Sequence, residues 1–123
     1  MTPAFEAEIN RQANLMRTRV SGDVAVAHMM EAVMAVEALL PQLDPGFTIL
    51  TDLSGLNSME LECAAHFSRI MDLCKARGVS RVVRVIPDPS KDIGLNILSI
   101  IHYGSGVQIL TCRTLAEGER ALS

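Results

Sequence analysis

The stretch GFTILTDLSGLNSMELECAA, residues 46–65, contains the pattern that decides the fold. Its residues 47–53 form an apolar run that is typical of a buried strand. Asn57 is followed three residues later by Glu60, which is the spacing of a helix capping box. The stretch therefore predicts a strand that is followed at once by a helix, which begins at Asn57 or Ser58 and ends near residue 76.

The rest of the chain repeats this alternation of strands and helices. Apolar and polar residues alternate on both sides of a polar turn at residues 11–14, which indicates a hairpin. Ser-Gly-Asp at residues 21–23 is expected to start the first helix, and strands joined by helices pair in parallel. The order β-β-α-β-α-β-α-β-α predicts one α/β domain over residues 1–123. It has a four- to five-stranded, mainly parallel sheet, an N-terminal antiparallel edge strand and four helices, the third of them near residues 90–103.

The composition and the first residues argue against membrane-spanning, secreted and nucleic-acid-binding proteins. Hydrophobic residues make up 49% of the 123-residue chain, but no apolar run reaches the roughly 18–20 residues that a membrane span needs. The first ten residues also lack the basic start of a signal peptide. A net charge of −3, scattered basic residues and only 3% aromatic residues disfavour nucleic-acid binding. We expect a cytoplasmic protein whose surplus of apolar surface is covered in a homodimer.

Residues with catalytic or metal-binding chemistry form no recognisable constellation. The three cysteines, Cys63, Cys74 and Cys112, include no CxxC pair, which fits a reducing compartment. Cys63 and His66 have metal-ligand spacing, but a zinc site needs two further ligands and no second pair is visible. The glycines never form GxGxxG or a P-loop, and a GxSxG elbow is missing. The sequence predicts no enzyme, no metal and no cofactor.

Polar residues are expected to meet at one edge of the sheet. The C-terminal ends of parallel strands lie together, and ligands and functional loops gather there in open α/β sheets. We expect Asp52, Ser54, Asn57 and Asp88 to form an interaction rim at this edge. The alternative is that Asp52 and Ser54 only satisfy backbone N–H groups of the turn.

Ser58 is the phosphoacceptor candidate. At the first position of a helix its hydroxyl would lie near unpaired backbone N–H groups, where the helix dipole favours negative charge. A phosphate there would stabilise the helix and present about two negative charges to a partner. The alternative is an ordinary capped turn between a strand and a helix.

Several short segments, taken in order, resemble one known family. They are Val20-Ser-Gly22, Gly46-Phe47, Asp52-Leu-Ser-Gly-Leu56, and Arg77-Gly-Val79 through Pro87-Asp-Pro89. In this order and spacing the chain resembles the bacterial SpoIIAA-like proteins of the STAS and Sec14-type structural group, from residue 5 to residue 122.

The resemblance implies a function without catalysis. In the anti-anti-sigma branch, a serine at the start of the helix after the DLSG-type strand is phosphorylated by a partner kinase, which switches partner binding. Only Ser58 falls near that place, and Asn57-Ser-Met-Glu60 stands where the branch has D-S-[ST]-G. The resemblance thus implies a regulatory module that binds a protein partner, a kinase or an anti-sigma-type regulator. The alternative is a carrier or sensor of a small apolar or lipid-like ligand, held beneath the methionine-rich first helix.

Overall fold

Five strands form the main sheet of the computed structural model, which describes residues 3–88 and 102–122. The strand order is β1-β2-β4-β6-β7, so neighbours in the sheet follow one another along the chain. The main-sheet strands are β1 Phe5–Asn10, β2 Leu15–Val20, β4 Thr48–Asp52, β6 Arg81–Val85 and β7 Gln108–Cys112. The other strands and the α-helices are β3 Gly22–Val24, β5 Leu56–Met59, α1 Val26–Leu39, α2 Cys63–Arg77 and α3 Leu115–Ala121, and short 3-10 helices lie at Leu40–Gln42 and Gly104–Gly106.

The pairing of these strands confirms the predicted α/β architecture. β1 pairs antiparallel with β2 and forms one edge, whereas β2, β4, β6 and β7 are parallel to their neighbours. The hairpin turn lacks glycine, and Asn14 instead adopts the left-handed conformation with φ 51°. Asparagine tolerates this conformation better than most residues. Asn14 then exchanges two hydrogen bonds with the Asp44 backbone, which fixes the hairpin to the loop before β4.

Two predicted helix starts are wrong, because a second, smaller sheet occupies both places. β3 and β5 continue from the ends of β2 and β4 and pair with each other in parallel. Residues 21–23 therefore do not cap the first helix, and α1 begins only at Val26 with Ala25 as its N-cap. Asn57 and Ser58 lie in strand β5, and α2 begins at Cys63 with Glu62 as its N-cap.

The two faces of the main sheet are covered by different helices. Residues of α1 and α2 pack with one face in the main core, which includes Met29, Val36, Phe67 and Met71. On the opposite face α3 packs through Gly118, where an added Cβ would lie only 2.8 Å from Val85 Cγ2. The predicted third helix lies almost wholly outside the described residues.

Candidate functional site

Asp52 organises the turn at the C-terminal end of β4. Asp52 is 8% exposed, and its Oδ1 accepts hydrogen bonds from Ser54 N at 2.9 Å and from Ser54 Oγ at 2.5 Å. This is the arrangement expected if Asp52 satisfies the backbone of the turn. The same contacts hold Ser54 in place with its side chain exposed at the edge of the sheet.

An open depression of about 460 Å³ lies beside this turn. Asp52 and Ser54 line it together with Arg19 and Ser21 from the end of β2. Arg19 is the register partner of Asp52 on the neighbouring strand. The structure thus brings two of the predicted rim residues together and adds an arginine and a second serine that the sequence analysis did not select.

Asn57 and Ser58 lie on the smaller sheet, opposite β3. Asp23 is the register partner of Ser58, and its Oδ1 accepts hydrogen bonds from Ser58 Oγ and from Asn57 Nδ2, each at 2.6 Å. All three residues are exposed. The environment of Ser58 is therefore a carboxylate on a short strand and not the N-terminus of a helix, as the sequence predicted.

Asp88 follows β6 at the same edge and is exposed. The register pairs Val85 with Asp52, and Leu53 N donates to Val85 O at 2.9 Å. The end of β6 thus lies directly beside the Asp52 turn, and Asp88 is three residues further along the chain.

Glu60 has a different role from the predicted one. Instead of closing a capping box for α2, its Oε1 accepts a hydrogen bond from Val26 N at 2.8 Å, at the start of α1. Glu60 N also donates to Val24 O at 3.0 Å, so the segment after β5 is tied to the segment after β3. The sequence gives no local signal for this contact, which joins residues 34 positions apart.

A row of polar side chains crosses the main sheet on the face that packs against α2. We call Thr18, Thr51, Arg84 and Thr111 the polar row, because each is the register partner of the next on β2, β4, β6 and β7. Thr18 Oγ1 hydrogen-bonds to Thr51 Oγ1 at 3.0 Å, and Arg84 Nη2 donates to Thr111 Oγ1 at 3.1 Å. Arg84 is only 4% exposed. The one sequence signal for the polar row was an arginine inside the apolar run Arg81-Val-Val-Arg-Val-Ile86.

A small cavity of about 50 Å³ lies over the polar row. Its lining combines Thr18, Thr51 and Arg84 with apolar side chains from α2 and with Tyr103. Burial raises the pKa of the Tyr103 hydroxyl well above its usual range, so this group stays neutral. The cavity lies beneath α2, and the part of the chain that the structure describes has no α1 residue in its lining, contrary to the position predicted for an apolar ligand.

The cysteines and potential metal ligands form no site among residues 3–88 and 102–122. No group of three or more His, Cys, Asp or Glu side chains there could hold a metal ion. Cys63 and Cys74 are fully buried, and burial raises the pKa of the Cys74 thiol to about 12. A thiol with so high a pKa is protonated at neutral pH and is a poor nucleophile. Over the same residues, no helix has both the length and the apolar character needed to cross a membrane.

Comparison with known proteins identifies the fold. Protein-family models give no match to this sequence, and curated proteins give none either. Solved structures do match. An uncharacterized protein of the DUF3478 family with a SpoIIAA-like fold, from Shewanella loihica, superposes with a TM-score of 0.70 at 12% identity. The match covers 98% of this chain and 94% of that one. The chain has a SpoIIAA-like fold.

Two anti-sigma factor antagonists share this fold. Unphosphorylated SpoIIAA matches with a TM-score of 0.63 at 15% identity, over 97% of both chains. An anti-sigma factor antagonist from Mycobacterium paratuberculosis matches with a TM-score of 0.61 at 14% identity, over 99% of this chain and 97% of that one. The predicted resemblance is thereby confirmed at the level of the SpoIIAA-like fold.

Proposed function

We propose that this chain is a non-enzymatic, cytoplasmic regulatory module that binds a protein partner. The observation that carries the proposal is the exposed polar surface formed where β2 and β4 end and β3 and β5 begin. Ser54, Asn57 and Ser58 are exposed there, beside the depression that Arg19 and Asp52 line. The likeness in fold to anti-sigma factor antagonists supports a partner of the kinase or anti-sigma type.

The binding surface in this proposal comprises Asp52, Ser54, Asn57 and Asp88, as the sequence indicated. Asp52 is largely buried and positions the turn, so direct contact with a partner falls to the exposed side chains of Ser54, Asn57 and Asp88. Asp23 belongs to the same surface because its carboxylate holds Asn57 and Ser58. A surface of this composition suits a partner that offers backbone N–H groups or basic side chains.

Ser58 is the phosphoacceptor in this proposal, with a mechanism that follows from its contact with Asp23. Its hydroxyl now donates to Asp23 Oδ1 at 2.6 Å. A phosphoryl group on Ser58 removes that donor and places about two negative charges beside the carboxylate. Repulsion between like charges would separate the side chains of β3 and β5 and change the surface that the partner contacts. Phosphorylation would therefore act by repulsion and not by stabilising a helix start.

The test compares partner capture by Ser58→Asp and Ser58→Ala with capture by the wild-type protein. Each variant is immobilised, and retained proteins are quantified by mass spectrometry. Ser105→Asp is the matched control. Ser105 is also exposed, but it precedes β7 and therefore lies near the N-terminal ends of the parallel strands, away from the rim. We expect Ser58→Asp to lose partners that Ser105→Asp retains. Identical sets of partners for the wild-type protein and both Ser58 variants would overturn the role of Ser58.

A second candidate function is a carrier or sensor of a small ligand, which the cavity over the polar row favours. A cavity of about 50 Å³, lined by side chains of α2, by Tyr103 and by three residues of the polar row, offers space for such a ligand. The two functions are separated by native mass spectrometry of the purified protein, since a co-purified ligand is expected for the carrier alone.

A further inference from the structure

One side of helix α1 exposes apolar side chains to solvent. Among the described residues four large hydrophobic side chains are exposed, and two of them, Met30 and Met34, lie on this side. The exposed positions of α1 recur at spacings of three and four residues, so they form one continuous stripe about 17 Å long, or three helical turns. We call this stripe the α1 surface, and its members are Ala27, Met30, Glu31, Met34, Glu37 and Ala38.

The charge around the α1 surface is negative. Between Arg19 and Arg69 the sequence contains seven Asp or Glu residues and no Lys or Arg, so all 11 basic residues lie outside this segment or at its two ends. Of the seven acidic residues only Asp52 is buried, and Glu31 and Glu37 belong to the α1 surface. The exposed methionines are therefore flanked by carboxylates in a part of the chain that supplies no cation.

A shallow groove of about 340 Å³ extends the α1 surface beyond Glu37. Its apolar lining comes from the segment that ends α1 and from the last turns of α2, with Leu40, Pro41, Leu73 and Ala76. Arg77 also lines the groove, but its guanidinium donates to the carbonyl oxygens of Pro41 and Leu43. Apolar contacts are thus available along the whole length of this side of the protein.

We propose that the α1 surface binds a basic amphipathic helix of a partner protein. The apolar side of that helix lies on Met30 and Met34, whose unbranched side chains adapt to irregular surfaces. Lys or Arg side chains on its flanks pair with Glu31 and Glu37. This inference does not rest on the rim formed where β2 and β4 end, because it assigns a second surface of the protein.

A second copy of the chain is the competing occupant of the α1 surface. Met34 lies midway between Glu31 and Glu37, so an antiparallel two-fold contact centred on Met34 would bring Glu31 of one protomer near Glu37 of its partner. Like charges brought together oppose association, whereas a basic helix brings opposite charges together. A basic helix should therefore displace a second copy from this surface.

The experiment titrates the full chain with a synthetic peptide of Leu, Lys and Ala, roughly 18 residues long because shorter isolated helices are marginal in water. Its leucines recur at helical spacing and form one stripe. A second peptide has the same composition with its leucines spread around the helix, and a third has Glu in place of Lys. Binding is followed by the ¹³C-methyl signals of Met30 and Met34, with the buried Met16 and Met71 as internal controls. We expect the striped basic peptide to shift the first two signals and to bind at least about tenfold more tightly than the other peptides.

Two pairs of substitutions test the role of charge. Glu31→Gln combined with Glu37→Gln removes both carboxylates, so it should weaken binding of the striped basic peptide about fivefold and reduce its dependence on salt. Glu6→Gln combined with Glu8→Gln is the matched control, because it changes the net charge equally at exposed positions of β1. All four side chains are exposed, so both variants should keep the fold.

A third substitution tests the role of the methionines. Met34→Ala removes an exposed apolar side chain from the centre of the α1 surface and should weaken binding of the striped basic peptide about tenfold. Leu115→Ala is its control, because Leu115 is also exposed but belongs to α3, on the opposite face of the main sheet.

Binding of the striped basic peptide that is weakened by the substitutions on α1 and kept in both controls supports the docking surface. Equal binding of the two basic peptides, or equal weakening by the α1 and β1 charge variants, would show general charge attraction and overturn it. Signals of Met30 and Met34 that respond to protein concentration but to none of the peptides would assign the surface to a second copy, which also overturns the proposal. Partner capture at Ser58 is measured separately, so the proposed function stands or fails by its own test.

Discussion

Glu60 caps helix α1 from a segment 34 residues away, through the hydrogen bond from Val26 N to Glu60 Oε1 at 2.8 Å. The N-cap residue of α1 is Ala25, whose side chain has no oxygen to accept such a bond. His28 Nδ1 accepts a second bond at this end of the helix, from Ala25 N at 3.0 Å. Because the carboxylate satisfies a backbone N–H and carries negative charge at the positive end of the helix dipole, it should stabilise the fold.

We predict that Glu60→Ala lowers the free energy of unfolding by about 1 kcal/mol, the usual cost of losing a cap. Glu60→Gln should lower the free energy of unfolding by a smaller amount, since an amide oxygen still accepts the hydrogen bond. Glu31→Ala is the control, because Glu31 is exposed in the middle of α1, and its effect should stay within about 0.5 kcal/mol. Urea unfolding measures all three variants. Equal effects of Glu60→Ala and Glu31→Ala would contradict the cap.

Gly78 ends helix α2 as its C-cap residue. It has φ 100°, and its N–H donates to Cys74 O and Lys75 O. An alanine Cβ here would lie 3.1 Å from Pro45 Cβ and would also strain the left-handed backbone. We predict that Gly78→Ala lowers the free energy of unfolding by about 1–2 kcal/mol in thermal or urea unfolding. Gly106→Ala is the control, since among the described residues the atom nearest to its added Cβ is the flexible end of Lys75.

The order of the main-sheet strands and of the helices was predictable because the apolar residues of these elements recur with the period of a strand or of a helix. Residues 5–10 alternate between half-buried and exposed positions, as their sequence alternation indicates. Gly78 marks a helix end by a local requirement for positive φ. Such signals lie within a few residues of one another, so a single sequence reveals them.

The candidate site was predicted less well because its contacts join distant parts of the chain. The segment Leu56–Met59 is a strand only because Gly22–Val24 pairs with it, and neither segment has a strand signal of its own. Asp23 was assigned to a helix start, yet its carboxylate holds Asn57 and Ser58. Pairing between segments more than thirty residues apart depends on the tertiary fold, which local spacing does not encode.

The contact between Ser58 and Asp23 predicts an energetic coupling. Ser58→Asp replaces a hydrogen bond to the Asp23 carboxylate with a second carboxylate on the opposing strand, so the free energy of unfolding should fall by about 0.5–1 kcal/mol. In an Asp23→Asn background this repulsion is absent, so Ser58→Asp should lower the free energy of unfolding by a smaller amount. Urea unfolding of the wild-type protein, both single variants and the double variant forms the thermodynamic cycle. A Ser58→Asp cost that is equal in both backgrounds would argue against the coupling.

Self-association through α1 is a further prediction. Met30 and Met34 lie four residues apart on one side of the helix and are 55% and 71% exposed, whereas the neighbouring Met29 is buried in the core. If a homodimer covers this side, Met30→Glu buries an unpaired carboxylate and should raise the dissociation constant at least about tenfold. Gln108→Glu adds the same charge at an exposed position on β7 and should have no such effect. Analytical ultracentrifugation measures the dissociation constants of both variants and of the wild-type protein. A wild-type monomer of 13.3 kDa at micromolar concentration would contradict the homodimer.

The ion pair between Arg17 and Glu119 predicts how stability depends on pH. The two terminal guanidinium nitrogens of Arg17 donate to the Glu119 carboxylate, with Nη2 to Oε2 at 2.8 Å, and this contact attaches α3 to β2. The hydrogen bond from Arg17 holds the pKa of Glu119 below its usual value. A lowered pKa in the folded state gives stability that is present above the unfolded-state pKa, about 4.3, and is lost as pH falls through the folded-state value.

Because both side chains are partly exposed, the pair should contribute less than about 1 kcal/mol at neutral pH. We therefore predict that Glu119→Gln is less stable than the wild-type protein at pH 7 by up to about that amount, and that the difference shrinks as pH falls below about 4. The control is Glu117→Gln on the same helix, where Glu117 Oε2 accepts a long hydrogen bond of 3.4 Å from Arg113 N. Urea unfolding across pH measures each difference. The ion pair must be lost as Glu119 is protonated. If the difference in free energy of unfolding between Glu119→Gln and the wild-type protein stays constant to pH values well below 4, the Glu119 side chain acts by packing and not through the ion pair.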